Sequence, residues 1–188
     1  MKKLITLVFV LLCVLSLVGC NTSDLPTYTT TTDIALSYAN WTDESKIYFG
    51  ALNKEKMSIS SVQHLPIYKF NTFEELEQFK ASFGNALTMD RGYDEIPSFN
   101  DTVSKYDHTF FEKNSLMLVY VGANSGTYRF GVNSVFCDGA TFCIHIERTN
   151  NPEIVTDDMA GWFITVAVPD SMIKDCTEFD ADLNNIES

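Results

Sequence analysis

Leu116-Met117-Leu118-Val119-Tyr120-Val121 is an unbroken apolar run. Successive side chains of a strand point to opposite sides. A run without polar alternation therefore belongs to a central strand covered on both faces. Downstream of it the period stays at two. Asn124-Ser125-Gly126 turns the chain, and Tyr128, Phe130, Val132, Ser134 and Phe136 then alternate with Arg129, Gly131 and Asn133. Asp138-Gly139 is a hairpin signal. Phe142, Ile144 and Ile146 alternate with Cys143, His145 and Glu147. After a loop to Ala160, Trp162, Ile164, Val166 and Val168 alternate with Phe163, Thr165 and Ala167, and Pro169 stops the strand.

Upstream the signals change. Residues 59–70 read as extended, with Pro66 holding Leu65 out of helix. Asn71 and Thr72 are good N-caps, and Glu74 or Glu75 completes a capping box. Phe73, Leu76, Phe79 and Phe83 recur at helical spacing until Gly84, a C′ residue by its position. Asn100 and Asp107 are placed to cap two short helical turns. The expectation is an α+β fold: an antiparallel β-meander of about four or more strands with one main amphipathic helix packed on one face.

The amino terminus reads differently. Lys2 and Lys3 precede a short apolar run, Leu4 to Val18, which ends in Leu17-Val18-Gly19-Cys20. This resembles the bacterial lipobox, in which cleavage precedes an acylated cysteine. Residues 1–19 are then a lipoprotein signal peptide. Residues 20–45 are the lipidated Cys20 followed by a flexible tether, rich in Thr, Ser, Asp and Asn. A single domain spans 46–188, with Ile47-Tyr48-Phe49 as a short first strand. Each buried acyl methylene adds about 0.8 kcal/mol of membrane affinity. The expected location is the extracytoplasmic face of a bacterial membrane.

The full sequence carries a formal charge of -12 from 13 basic and 25 acidic residues. Removing Lys2 and Lys3 leaves 11 basic residues against the same 25 acids. Such a chain is repelled by an anionic leaflet. It also lacks the cations that neutralise phosphates, so no nucleic-acid partner is expected. Hydrophobic residues at 45% argue against wholesale disorder.

No HExxH, CxxC, GxSxG, P-loop, dinucleotide or EF-hand motif is present, so neither a cofactor nor a catalytic residue is assigned. Gly122-Ala123-Asn124-Ser125-Gly126 lacks the spacing of a nucleophile elbow, and Ser171-Met172-Ile173-Lys174 lacks its SDN and KTG partners. Cys143, His145 and Glu147 share one strand face, an arrangement that offers the start of a metal or thiol-hydrolase site. Arg129, Asn133 and Thr165 are expected on that same outward face, making it a binding surface. Asn150-Asn151-Pro152-Glu153 and Thr156-Asp157-Asp158 concentrate oxygen ligands in one loop. Of five cysteines, Cys13 leaves with the signal and Cys20 takes lipid. Cys137 and Cys143 flank the hairpin turn and are candidates for a disulfide. Either of them with Cys176 is an alternative, as is a fully reduced set.

Phe110-Phe111-Glu112-Lys113-Asn114-Ser115-Leu116-Met117-Leu118-Val119-Tyr120, Ser125-Gly126, Ile146-Glu147-Arg148 and Thr156-Asp157-Asp158-Met159-Ala160 through Trp162 carry a resemblance. With His64-Leu65-Pro66-Ile67-Tyr68-Lys69-Phe70, they resemble a group of uncharacterised lipoproteins of Gram-positive bacteria. The strand order is more distantly similar to the C-terminal domain of PrcB-type protease-stabilising proteins, which implies binding of a partner protein. The expectation is a lipid-anchored interaction module. Its envelope-protein partner would dock on Arg129, Asn133, His145, Glu147, Asp157 and Asp158. The alternative is a metal-dependent or thiol hydrolase using Cys143, His145 and Glu147.

Overall fold

The computed structural model describes residues 27–28, 33–40 and 62–184. Cys20, the signal segment and Ile47-Tyr48-Phe49 lie outside the described residues. The strands are β1 (Thr27–Tyr28), β2 (Ile34–Tyr38), β3 (Val62–His64), β4 (Ile67–Phe70), β5 (Asn114–Ala123), β6 (Phe130–Asp138), β7 (Thr141–Arg148), β8 (Ala160–Pro169) and β9 (Glu178–Asn184). The helices are α1 (Phe73–Phe83), α2 (Phe99–Val103), α3 (His108–Phe111) and α4 (Asp170–Ile173). No helix among the described residues is long and apolar enough to cross a membrane.

The fold is α+β, with α1 packed on one sheet face. Its strands divide between two sheets. One has the order β2-β8-β5-β4, and the other β1-β6-β7-β9-β3. Among the described strands every pair is antiparallel except β7 with β9, which is parallel. The expected meander is thus interrupted twice. Residues 124–129 carry the chain from β5 across to β6, and residues 149–159 bring it back to β8, which pairs directly with β5.

β5 explains the layering. Met117, Val119 and Val121 face an apolar cluster shared with Phe142, Ile144 and Ile146 of β7 and with Trp162 and Ile164 of β8. Leu116, Leu118 and Tyr120 face the opposite way, onto Leu76 and Phe79 of α1 and Phe99 of α2. Three layers result: helices, the four-stranded sheet and the five-stranded sheet. Phe79 lies 5.9 Å from Phe163 and 6.1 Å from Phe99, ring to ring. Truncating one such buried aromatic to alanine costs about 3–5 kcal/mol.

α1 forms as its local signals dictate. Thr72 Oγ1 accepts from Glu75 N at 3.2 Å, and Glu75 Oε2 accepts from Asn71 N at 2.6 Å. Gly84 ends the helix at φ -60°, in the right-handed region, rather than as a left-handed C′ residue. Asp107 caps α3 as expected, but Ser98, not Asn100, caps α2 by accepting from Asp101 N.

Two corrections concern the sheets. The segment read as tether supplies strands: β2 pairs with β8 from Ile34↔Val166 to Tyr38↔Trp162, and β1 pairs with β6. The folded unit therefore begins before residue 46. The second correction is a β-bulge at Asn133, between Val132 and Ser134. A bulge adds one unpaired residue and inverts the side-chain alternation beyond it. Phe130 and Val132 face the core, and so do Val135 and Cys137, while Ser134 and Phe136 point outward.

Candidate functional site

The outer face of the five-stranded sheet gathers His64 from β3, Phe136 from β6, Cys143, His145 and Glu147 from β7, and Asp180 and Asp182 from β9. Parallel pairing sets Cys143 beside Asp180 and His145 beside Asp182. His145 Nδ1 lies 2.6 Å from Asp182 Oδ2, with the imidazole 4.9 Å from the Phe136 ring. His64 Nδ1 lies 2.9 Å from Asp180 Oδ2. Asn133, extruded by the bulge, donates through Nδ2 to Glu147 Oε2 at 2.9 Å. Cys143, His145 and Glu147 do share this face, as their spacing requires.

Both imidazoles, their carboxylate partners and Glu147 are turned toward neighbours in the sheet, not toward a common point. Among the described residues, no three His, Cys, Asp or Glu side chains converge to hold a metal ion. The Cys143 thiol is pushed up to about 11, first by burial and then by the carboxylates of Asp180, Asp182 and Asp138. A nucleophilic thiol needs the opposite field, one that favours thiolate. The geometry therefore lends the hydrolase alternative no support.

Arg129 and Thr165, expected on this face, are elsewhere. Thr165 is fully buried in β8 and donates to Ala35 O at 3.3 Å. Arg129 sits at the end of the sandwich, where residues 90–98, 124–129 and 149–159 meet. Its guanidinium lies 4.9 Å over the Trp162 ring and 5.7 Å from the Tyr93 ring. Nη1 donates to Gly126 O at 2.6 Å and to Tyr128 O at 3.0 Å, and Nη2 reaches Asp94 Oδ2 at 3.3 Å.

The 149–159 loop is tied to that platform by its own polar groups. Asn150 Oδ1 accepts from Arg129 N at 2.8 Å, and Asn150 Nδ2 donates to Thr127 O at 2.8 Å. Ser125, fully buried, shares its hydroxyl with Thr127 and Thr156, each at 2.9 Å. Asp158 Oδ1 accepts from Gly126 N at 3.2 Å, and Oδ2 accepts from Tyr93 OH at 3.2 Å. Hydrogen bonds from Thr156 and from the Gly126 N–H hold the Asp158 carboxyl below its ordinary value. Gly126 is needed here for space: a Cβ would stand 2.5 Å from Tyr93 Oη and 2.7 Å from Asp158 Oδ2.

These bonds engage both carboxylate oxygens of Asp158 and both the oxygen and the nitrogen of the Asn150 amide, which brace the loop against the protein. Asp157 is exposed on the same loop. The apolar residues behave in the opposite way to a buried loop. Ile154 is 81% exposed, Met159 53% and Val155 47%. A tied-down loop thus holds three large apolar side chains in water. The loop's oxygens are its conspicuous sequence signal; the signal for these three side chains is weaker, an apolar pair, Ile154-Val155, inside a polar stretch.

The cysteine geometry also departs from expectation. Cys137 is paired with Phe142 and Cys143 with Phe136, so the two cysteines are neither opposite one another nor on the same face. Cys137 Sγ instead lies 3.3 Å from Cys176 Sγ.

No family model matches the chain. No curated protein and no solved structure matches it either.

Proposed function

We propose that this chain is an extracytoplasmic, lipid-anchored interaction module that docks a partner protein through the 149–159 loop. The observation that carries this reading is the exposure of Ile154, Val155 and Met159 on a loop fixed by Arg129, Ser125, Asn150 and Asp158. Leaving large apolar side chains in water forgoes about 1.5–3 kcal/mol of burial per residue, which a partner surface recovers. Pre-ordering the loop reduces the entropy lost on docking.

Charge defines the partner's chemistry. Glu153 and Asp157 on the loop, and Asp94 and Glu95 beside it, are exposed, and the whole chain carries -12. An envelope protein with an apolar patch rimmed by Lys and Arg is the complement. The lipobox-like Leu17-Val18-Gly19-Cys20 supports anchoring, with membrane contact made by acyl chains on Cys20. The resemblance to PrcB-type domains points to partner binding as well. His145, paired with Asp182, and Glu147, paired with Asn133, act as the sheet's support in this reading.

The test is capture of cross-linked partners from the native membrane by the intact lipoprotein and by an Ile154→Asp, Met159→Asp variant. Both should share one thermal midpoint, since both residues are more than half exposed. The expected result is one dominant partner near stoichiometry with the native chain and at least a tenfold loss with the variant. Equal capture by both chains would overturn the loop as the docking surface.

A further inference from the structure

Cys137 lies near the carboxyl end of β6 on its core-facing side, and Cys176 lies in the turn between α4 and β9. Their sulfurs are 3.3 Å apart although the residues are 39 positions apart in sequence. Cys137 Sγ also approaches Met172 O at 3.3 Å, so the α4 turn is already packed on β6. Closing the sulfurs to a bonded distance of about 2.0 Å needs a shift of about an ångström. We propose that Cys137 and Cys176 form a disulfide that ties β6 to the entry of β9, with Cys143 remaining a thiol.

The reaction is thiol–disulfide exchange with a disulfide-bearing oxidant, either a protein dithiol oxidase or a small disulfide. One cysteine thiolate attacks the oxidant's S–S bond, forming a mixed disulfide and releasing one thiol. The second thiolate attacks the sulfur of its neighbour in that mixed disulfide and releases the other thiol. Two electrons pass from Cys137 and Cys176 to the oxidant, and both cysteine protons end on its two sulfurs.

Cys143 is suited to stay out of this exchange. It faces outward among Asp180, Asp182 and Asp138, and burial with those carboxylates pushes its thiol up to about 11. Cys137 and Cys176 lie on the core side of the sheet, so Cys143 is on the opposite face from the sulfur pair. Closing a loop of this length constrains the unfolded chain, and the constraint falls on β9, the parallel strand whose Asp180 and Asp182 pair with His64 and His145.

The test uses the full chain, purified reduced and equilibrated with oxidised glutathione. Free thiols are then alkylated and the peptides mapped by mass spectrometry. Beside Cys13 and Cys20, the expected product has a Cys137–Cys176 cross-linked peptide and an alkylated Cys143. Reductant should lower the thermal midpoint of the oxidised native chain and leave that of a Cys137→Ser, Cys176→Ser variant unmoved. Alkylation of Cys137 and Cys176 after oxidation would overturn the proposal, as would a cross-link through Cys143. Formation in the cell rests on the extracytoplasmic location proposed above. If the pair oxidises in the purified chain yet is reduced in cells, the location is wrong and the pairing stands.

Discussion

Arg129 stands where the chain leaves one sheet for the other, and its side chain reaches two loops and strand β8. It stacks on Trp162 and Tyr93, donates to two backbone carbonyls and pairs with Asp94. Only 23% of the side chain is exposed, so its contacts act with limited screening by water. A desolvated cation–π contact contributes about 2 kcal/mol, and a hydrogen bond involving a charged group about 1.5–3 kcal/mol net. Arg129→Ala should therefore destabilise the fold by about 2 kcal/mol in urea unfolding. Arg129→Lys should recover less than half, because an ammonium does not lie flat on the indole while donating to both carbonyls. An alanine variant within about 0.5 kcal/mol of the native chain, the scatter of ordinary surface changes, would contradict this role. None of this was legible beforehand. Alternation placed Arg129 on an outward sheet face, but the residue precedes β6, where period-two reasoning no longer applies.

The 149–159 loop behaves as an element because of Asp158. Its carboxyl is held below the ordinary value by Thr156 and the Gly126 N–H. A depressed folded value means that this bracing is present above the unfolded value and lost as pH falls through the folded one. Acidification should thus raise amide exchange in the loop below the ordinary aspartate range, ahead of the sheets. Carboxyl chemical shifts should place the Asp158 midpoint below that of free aspartate, and Thr156→Ala should move it upward. An Asp158 midpoint at the ordinary value in the native chain would contradict the bracing. Other elements differed in how far their sequence revealed them. α1 was readable because its cap and aromatic stripe are local. β5 was readable because both of its faces are buried. β2 was not: Ile34, Leu36 and Tyr38 do alternate, but a Thr-rich composition outweighed them, and the strand exists only by pairing with β8. The bulge at Asn133 interrupted an alternation that looked continuous, and so inverted the faces assigned to Ser134 and Phe136.

At the scale of the molecule, a central sheet with helices on one face and a second sheet on the other leaves two regions open to function. The outer face of the five-stranded sheet is polar but internally paired, with His145 on Asp182, His64 on Asp180 and Glu147 on Asn133. The end of the sandwich presents a fixed loop with apolar side chains in water and exposed acids around them. The sequence shows both the loop and the sheet face but not their separation, because alternation alone puts Arg129 on one face with Glu147. The two separate once β6 and β8 are seen to belong to different sheets. Docking through the loop is tested most directly by placing a photo-cross-linking amino acid at position 154 and, in a second chain, at position 147, then irradiating each in its native membrane. The expected result is one partner cross-linked from position 154, through a surface rich in apolar and basic residues, and background alone from position 147. Cross-linking confined to position 147, or background from both, would contradict docking through the loop.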